Sequence, residues 1–574
     1  MSQKWDHVID LGRSGALSYT LARERFQCPV TPLSDFRESF GEMRRVRELM
    51  ASGNGRLIDQ FGLDWWELTA IFIHEELERI ILLAIVALRF DRADEVCLTR
   101  LSAEAEILRT IFGARFRTFP SVDNTRQGHA IRYASALKKF PAAQLLEIFW
   151  DKFDPGYQLR SIFNTKRQSS SSPVVLLPSA YVNVSRTATE YARAVPDGRF
   201  LLVATRRSGM LRDVPGNVSV SWLSHYSSFS DHGRKAEYGD LMARWLELRN
   251  ELTQVREFEI LCRIRGFDDF PRRFRMGLQI RDAWRNVFQH EPVQAVICAD
   301  DSNPYTHIPL LLAKNKGLPT VSCHHGALDG RYMFKRTHAD ASLAKGDMEH
   351  DYLVRVCRIP SHNVEIGAPP GPMFQAAEIH PSTKPSIVFF SEAYEVASGR
   401  AEDFYRDILP PLANLALAGR RELICKLHPA ESVSERSGFL REILSPEQQA
   451  VTRIVAGPLN ADLLNRAWFG ITVMSTVAVE CALRGVPCFL CSWLEAWPYG
   501  YVDQFTRFGA GIRLSGPEEI EKIPITLHDW QPSSKVRSDC WSPIEPKRLQ
   551  ALLGFGGRPV KGSGRQPGRM EIYS

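Results

Sequence analysis

Short apolar runs alternate with helical patterns from residue 173 onward, and this alternation constrains the fold more than any other feature of the chain. The first run, residues 174–177, is apolar at consecutive positions, which is typical of a strand buried on both faces. Further strands are predicted at residues 200–204, 295–299, 320–323 and 341–344. Because helical patterns separate these strands, the sequence predicts parallel β-α-β units and an α/β fold.

The alternation restarts after a proline-rich stretch at residues 369–385, with strands predicted at 387–390, 423–426, 470–473 and 488–490. Two α/β lobes are therefore expected, preceded by a mostly helical N-terminal region. The N-terminal region comprises residues 1–165 and could belong to the first lobe. The first lobe is predicted at residues 173–370 and the second lobe at residues 384–515. A C-terminal segment at residues 516–553 and a disordered basic tail at residues 554–574 follow.

Length and charge limit the classes of function. At 574 residues the chain is too long for one compact core, and its 44% apolar and 24% charged residues are ordinary for a globular protein. The formal net charge is only +6 and the arginines are scattered among acids, so we expect no nucleic-acid partner. The N-terminus lacks a signal-peptide pattern, no apolar window is long enough to span a bilayer, and the 11 cysteines are irregularly spaced. These features indicate a cytoplasmic protein with reduced thiols.

The strongest local motif is Lys426-Leu427-His428-Pro429, at the end of a predicted strand. Ligands of open parallel sheets bind outside the carboxyl ends of the strands, where a histidine can donate to a phosphate oxygen. A turn that ends a strand and carries an ordinary surface histidine is the alternative interpretation.

A second motif, Ser475-Thr476 followed by Glu480, stands where a predicted strand ends and a helix begins. The hydroxyls could cap the helix and bind an anion, and Glu480 could accept from a ribose hydroxyl. A capped helix without a ligand is the alternative interpretation here.

Together the two motifs resemble those of GT-B glycosyltransferases of bacterial surface and capsular polysaccharide synthesis. The resemblance is to the group with an HP motif and a Ser-Ser/Thr motif: sialyltransferases, polysialyltransferases, capsule Kdo transferases and teichoic-acid polyol-phosphate transferases. It covers residues 384–515 and, more loosely, 290–370. It implies two Rossmann-like lobes facing a cleft. It also implies nucleotide binding by the residues Lys426, His428, Pro429, Ser475, Thr476 and Glu480.

The resemblance implies a metal-independent glycosyltransferase that moves a sugar from a nucleotide donor, with a CMP-sugar favoured. No retaining Glu-x-x-x-x-x-x-Glu signature is found in the sequence, which favours inversion. The implied partners are the donor and a glycan or lipid-linked glycan acceptor of the bacterial surface. Peripheral contact with the inner membrane and with other envelope-biosynthesis enzymes stays open. No cofactor and no metal is expected, since the nucleotide-sugar is a substrate.

An inverting transfer needs a general base, which the first lobe would supply. Asp300 and Asp301 follow one predicted strand, and His325 follows the next one in a His-His-Gly turn similar to that of the same transferases. For the two aspartates the alternative is helix capping, and for the neighbouring His324 it is packing in the core. The polar loop after this turn, with Asp329, Arg331 and Lys335, and Gly346 and Asp347 beyond it could line the acceptor side.

Other patterns carry less weight. Cys488 and Cys491 have C-x-x-C spacing but lie in an apolar strand, so we expect neither a redox nor a zinc role. Trp65 and Trp66 are expected in the core or in a contact between lobes. Three other functions remain open: a CDP-polyol phosphotransferase of the same fold, a non-hydrolysing nucleotide-sugar epimerase, and a non-catalytic scaffold.

Overall fold

The computed structural model describes residues 41–89, 172–211, 213–227, 232–370, 385–392, 401–428, 431–457, 459–495 and 499–555, together with four short strands nearer the N-terminus. These strands, β1 (His7–Asp10), β2 (Val30–Pro32), β3 (Val96–Thr99) and β4 (Phe116–Phe119), pair in parallel in the order β2-β1-β3-β4. The short run at residues 95–98 predicts a strand at the position of β3, but no sequence pattern predicted the other three, so the expectation of a mostly helical N-terminal region was incomplete. A helix predicted at 103–112 lies outside the described residues.

Three helices follow in this region: α1 (Gly41–Ala51), α2 (Trp65–Ala70) and α3 (His74–Arg89). Trp65 and Trp66 of α2 are 1% and 0% exposed, and Trp66 packs against Trp245, Phe258 and Phe270 from the first lobe. The expectation that the tryptophans belong to the core is therefore confirmed. Helices α1 to α3 share one hydrophobic core with the first lobe.

The first lobe contains a seven-stranded, fully parallel sheet in the order β11-β10-β9-β8-β5-β6-β7. Its strands are β5 (Val174–Ser179), β6 (Phe200–Ala204), β7 (Val218–Trp222), β8 (Val293–Cys298), β9 (Thr320–Cys323), β10 (Ala341–Ala344) and β11 (Val364–Ile366). The chain proceeds outward from β5 to β7 and then returns to place β8 on the other side of β5. The strand order therefore reverses between β5 and β8, where a crevice forms in such sheets.

Helices cover both faces of this sheet. They are α4 (Val182–Arg193), α5 (His232–Leu252), α6 (Arg256–Arg263), α7 (Phe270–His290), α8 (Pro304–Asn315) and α9 (Asp347–Asp351). Along β5 the side chains alternate: Val174 and Leu176 join the core with the helical layer, whereas Val175 and Leu177 join the core on the opposite face. This two-sided burial explains why the strand is apolar at consecutive positions.

The second lobe contains a six-stranded parallel sheet in the order β14-β13-β12-β15-β16-β17. Its strands are β12 (Ser386–Phe390), β13 (Glu422–Lys426), β14 (Thr452–Val455), β15 (Ala467–Thr472), β16 (Cys488–Cys491) and β17 (Ile512–Leu514). Its helices are α10 (Ala401–Ala418), α11 (Val433–Ile443), α12 (Pro446–Ala450), α13 (Ala461–Arg466), α14 (Val477–Leu483), α15 (Tyr501–Arg507) and α16 (Ile523–His528). Here the strand order reverses between β12 and β15. The two Rossmann-like lobes that the sequence predicted are confirmed.

The C-terminal segment returns to the first lobe through α17 (Ser534–Cys540) and α18 (Pro546–Leu552). Leu549 and Leu553 belong to the same hydrophobic core as Val175 and Leu177 of β5. A Cβ at Gly346 would lie 2.3 Å from the carbonyl oxygen of Asp539, so Gly346 packs closely against α17. Of the predicted tail 554–574, only the first two residues are described. Among the described helices none has the length and apolar character needed to cross a membrane.

Candidate functional site in the cleft between the lobes

Three side chains meet where the strand order of the first lobe reverses. Tyr181 follows β5, Asp300 follows β8 and His325 follows β9. The Tyr181 hydroxyl donates a hydrogen bond to the Asp300 carboxylate and lies 3.3 and 3.4 Å from the two ring nitrogens of His325. The two rings meet edge to face, with their centroids 5.1 Å apart. The sequence predicted Asp300 and His325 here but missed Tyr181.

Asp300 is 2% exposed and is ionised. Burial alone would raise the pKa of its carboxyl, but the charge of Arg331 and a hydrogen bond from Ser302 hold this pKa well below its usual range. The backbone N–H of Ser302 also donates to the carboxylate at 2.9 Å. A carboxylate of this kind is a poor proton acceptor and a strong stabiliser of a nearby cation.

The imidazole of His325 is uncharged in this environment, unlike the Asp300 carboxylate. Burial lowers the pKa of its imidazole, while the charges of Asp300 and Asp329 oppose that shift. The ring is therefore neutral at neutral pH, and a proton that it accepts is stabilised by Asp300 behind Tyr181.

The neighbouring His324 is packed in the core, as the sequence predicted. It is 7% exposed, its Nδ1 accepts from the Gly326 N–H at 3.2 Å, and its Nε2 lies 3.6 Å from Asp329 Oδ2. Burial lowers the pKa of His324 to about 3. Asp329 is in turn held by the Arg331 guanidinium at 2.9 and 3.1 Å, so this loop residue supports the turn.

Asp301 differs from its neighbour Asp300. It is 1% exposed and forms an ion pair with Lys335, and its second oxygen lies 3.8 Å from His307 Nδ1. We therefore place Asp301 and Lys335 in a buried ion pair rather than at the reacting atoms. Neither aspartate caps α8, since Asn303 occupies the N-cap position. The capping alternative is thereby excluded for both.

In the second lobe, Glu392 links the two strands at which the strand order reverses. Its carboxylate, just after β12, accepts from the Thr472 hydroxyl at 2.9 Å and from the Met474 N–H at 2.8 Å, both on the β15 side. Burial raises the pKa of Glu392, while the hydrogen bonds from Met474 and Thr472 lower it. Sequence reasoning missed Glu392, although its position directly after a predicted strand was a usable signal.

Lys426 and His428 stand at the end of β13. The Lys426 ammonium is buried and donates to the carbonyl oxygens of Leu427 and Gly457 at 2.8 and 2.6 Å, so it orders the loop. His428 is half-buried, and its backbone N–H donates to Glu431 at 2.8 Å. Burial lowers the pKa of the His428 imidazole, and the charge of Lys426 lowers it further. Pro429 lies outside the described residues.

The hydroxyl pair stands at the end of β15. Ser475 Oγ accepts from the Val477 N–H at 3.3 Å, and Thr476 holds the N-cap position of α14 without a capping hydrogen bond from its side chain. Burial raises the pKa of Glu480 on this helix, while the charges of Arg484 and Lys426 oppose the shift. Lys426 and Glu480, predicted from separate motifs, therefore lie within electrostatic reach of each other.

The two predicted clusters come together across the cleft. A Cβ at Gly326 would lie 3.2 Å from Thr476 Cγ2 and 3.0 Å from His324 Cε1, so the His-His-Gly turn of the first lobe touches the Ser-Thr turn of the second. A further contact is made by Tyr501, whose hydroxyl accepts from the Gly330 N–H at 2.8 Å. The catalytic and nucleotide-binding candidates thus face one another.

Among the described residues no group of three or more His, Cys, Asp or Glu side chains is placed to hold a metal ion. Cys488 and Cys491 are both buried within β16, and burial raises the pKa of the Cys491 thiol well above its usual value. A thiol in this state is a poor nucleophile.

Comparison with known proteins gives only distant similarity. No family model matches the chain, and no curated protein matches it. Among solved structures, the S. aureus MnaA–UDP complex has 10% identity and a TM-score of 0.40, covering 67% of this chain and 96% of its own. MurG of Acinetobacter baumannii has 12% identity and a TM-score of 0.39, covering 67% of this chain and 99% of its own. The Neisseria meningitidis UDP-GlcNAc 2-epimerase bound to UDP-GlcNAc has 10% identity and a TM-score of 0.41, covering 67% of this chain and 99% of its own. These values are too low to transfer a function, and the fold assignment rests on the sheet topology described above.

Proposed function

We propose that this chain is a glycosyltransferase that moves a sugar from a nucleotide donor to an acceptor hydroxyl in the cleft, with inversion and without a metal. The observation that carries the proposal is the contact between the turn 324–326 of the first lobe and the Ser475-Thr476 turn of the second. This contact supports the proposal because the first turn carries His325, which lies beside Tyr181 and Asp300, and the second turn carries the hydroxyls proposed to bind the donor phosphate.

The reaction would proceed by a single displacement. His325 takes the proton of the acceptor hydroxyl while the acceptor oxygen forms a bond to the anomeric carbon. The bond from that carbon to the donor phosphate breaks, and its electron pair leaves with the nucleotide. Asp300 stabilises the imidazolium through Tyr181, and hydrogen bonds around Ser475 and Thr476 stabilise the departing phosphate.

The donor is proposed to bind at the carboxyl ends of β12, β13 and β15. In this arrangement His428, Ser475 and Thr476 hold the phosphate and Glu480 lies near the ribose, with Pro429 shaping the loop. The resemblance of these motifs to the HP-motif transferases favours a CMP-sugar as donor. It also favours a bacterial surface glycan or its lipid-linked precursor as acceptor and places the enzyme in the cytoplasm.

The test is calorimetric titration of the full chain with CMP, CDP, UDP, GDP and dTDP. His428→Ala is the variant, and His362→Ala, at an exposed histidine outside the cleft, is its control. Selective binding of a cytidine nucleotide, lost in His428→Ala and kept in His362→Ala, supports the proposal. Selective binding of UDP or GDP keeps the site and overturns the CMP-sugar assignment.

Product analysis then separates the remaining functions. Release of nucleotide that depends on an added acceptor identifies a transferase, whereas interconversion of the nucleotide-sugar without acceptor identifies an epimerase. If a CDP-polyol is the only donor that the protein consumes, the protein is the phosphotransferase. The absence of nucleotide binding at His428 would favour a scaffold.

A further inference from the structure

A groove of about 450 Å³ lies between helix α1 and the segment 333–336, and it shares no lining residue with the proposed donor site. One wall is a single face of α1 that presents Arg44, Arg47, Glu48 and Ala51 at helical spacing. The opposite wall begins a few residues after the His-His-Gly turn. The groove therefore lies beside the first lobe and is open to a ligand of its own.

The charge of this groove is strongly one-sided, because four of its lining side chains are basic and one is acidic. The single acid, Glu48, lies 3.5 Å from Arg44 on the exposed rim. Lys335 is neutralised by the buried Asp301. The remaining excess of positive charge belongs to the arginines.

Arg47 is half-buried and faces another cation. Burial lowers the pKa of its guanidinium, and the charge of Arg358 lowers it further. No carboxylate forms an ion pair with Arg47 within the described part of the chain. Arg358 has φ 62°, a left-handed backbone conformation that arginine rarely adopts. A bound anion would supply the counter-charge that the partly buried Arg47 lacks there.

On the opposite wall Arg336 is half-exposed and forms a loose ion pair with Asp64, with 3.8 Å between the charged atoms, which is too long for a direct hydrogen bond. Its N–H groups are therefore not all committed to Asp64. Planar guanidinium groups match the oxygens of a phosphate in paired hydrogen bonds. The uncharged part of the lining consists of the polar Asn54 and of the apolar Ala51, Met333 and Phe334. The three apolar side chains suit the organic part of a phosphate ester.

We propose that this groove binds a phosphoryl group, with Arg47 and Arg336 as its principal ligands and the apolar floor in contact with the group that the phosphate carries. The site is separate from the donor site and does not depend on the proposed glycosyl transfer. The phosphate could belong to a soluble ester or to a lipid headgroup, and the experiment distinguishes these two sources.

The first arm titrates the full chain with inorganic pyrophosphate at low and physiological salt. The variant is Arg47→Gln/Arg336→Gln. The control is Arg45→Gln/Arg263→Gln, which removes the same charge from arginines paired with Glu257 and Glu259 outside the groove. We expect binding to weaken at least about tenfold in the variant and less than about twofold in the control, since each lost guanidinium–phosphate contact removes a charge-assisted hydrogen bond. Equal weakening in both would show a general charge effect and overturn the proposal.

The second arm excludes the donor site as the source of the signal. His428→Ala should keep the pyrophosphate binding that the groove variant loses. Binding lost in His428→Ala and kept in the groove variant would overturn the groove while leaving the proposed function intact. Conversely, a failure of nucleotide binding would not affect the groove result.

The third arm uses vesicles of phosphatidylcholine with and without phosphatidylglycerol in a sedimentation assay. Sedimentation that needs phosphatidylglycerol and is lost in the groove variant but not in the control identifies a lipid headgroup as the source. Pyrophosphate binding without sedimentation identifies a soluble ester. The proposal would be overturned if the unmodified chain showed no more pyrophosphate binding and no more sedimentation than the groove variant.

Discussion

Tyr181 donates a hydrogen bond to Asp300 across the gap between β5 and β8, the point at which the strand order of the first sheet reverses. The second lobe contains a matching link, in which the Met474 N–H donates to Glu392 across the gap between β12 and β15. In both lobes a hydrogen bond thus joins the two strand ends that border the crevice in which ligands of parallel sheets bind.

Replacing Asp300 with asparagine should lower kcat by about 10²- to 10⁴-fold, because the imidazolium formed at His325 loses its stabilising charge. The KM for the donor should change little, since the proposed contacts to the donor are made by residues of the second lobe. Steady-state kinetics against Asp529→Asn, at an exposed aspartate, provide the control. Full activity in a folded Asp300→Asn variant would show that Asp300 does not stabilise the imidazolium.

The pH dependence of kcat/KM should show one acid limb that reports the pKa of His325. Burial places this pKa below the ordinary histidine value, and Asp300 raises it. A base must be unprotonated, so activity should fall as the pH drops through this pKa. In Asp300→Asn the raising charge is gone, so the limb should move to lower pH. A shift to higher pH would contradict the assignment.

Gly326→Ala should reduce kcat/KM at least about tenfold, because the new methyl group meets Thr476 and His324 and overpacking of this kind costs about 1–3 kcal/mol. Gly216→Ala is the matched control, since a Cβ there meets no atom within 4 Å. Thermal unfolding measured alongside the kinetics separates a displaced turn from a lost fold. Equal kinetics for the two variants would show that the lobes do not work in contact at this point.

Trp66→Ala should destabilise the protein by about 3–5 kcal/mol, the usual cost of removing a buried tryptophan. Trp66 is 0% exposed and packs against first-lobe aromatics, so helices α1 to α3 should unfold together with that lobe. Leu88→Ala on α3, where the side chain is 80% exposed, should cost little. Urea unfolding followed by tryptophan fluorescence measures both, and a loss below about 1 kcal/mol in Trp66→Ala would indicate that these helices fold separately.

Stability should fall as the pH drops from 6.5 toward 4. Burial lowers the pKa of His74 and of His338 to about 4 each, so the unfolded chain binds more protons than the folded one in this window. Each such histidine adds up to about 1.4 kcal/mol per pH unit to the slope of stability against pH. His74→Phe should flatten that slope, as urea midpoints at several pH values would show. An unchanged slope would mean that the pKa of His74 is the same in the folded and the unfolded chain.

The sequence predicted the interior strands well and the edge strands poorly, for one physical reason. Strands β7, β11, β14 and β17, none of which the sequence predicted, lie at the edges of their sheets and are partly exposed. A strand that is half-exposed carries no continuous apolar run, so its pattern resembles that of a loop.

The site was predicted in part. Residues that end interior strands were found, but Tyr181 and Glu392 belong to no motif and became visible only through their bonds to Asp300 and Met474. The sequence also could not separate Asp300 from Asp301. Asp300 and Asp301 have different partners in the structure, because Asp301 pairs with Lys335, which lies 34 residues away in the chain.

The return of the C-terminal segment to the first lobe has a consequence for the order in which the protein forms during synthesis. Leu549 and Leu553 complete the core beneath β5, so the lobe that is translated first lacks part of its interior until the ribosome has nearly finished the chain. A nascent chain arrested before residue 540 should therefore remain bound by chaperones, whereas removal of residues 556–574 should leave both cores intact.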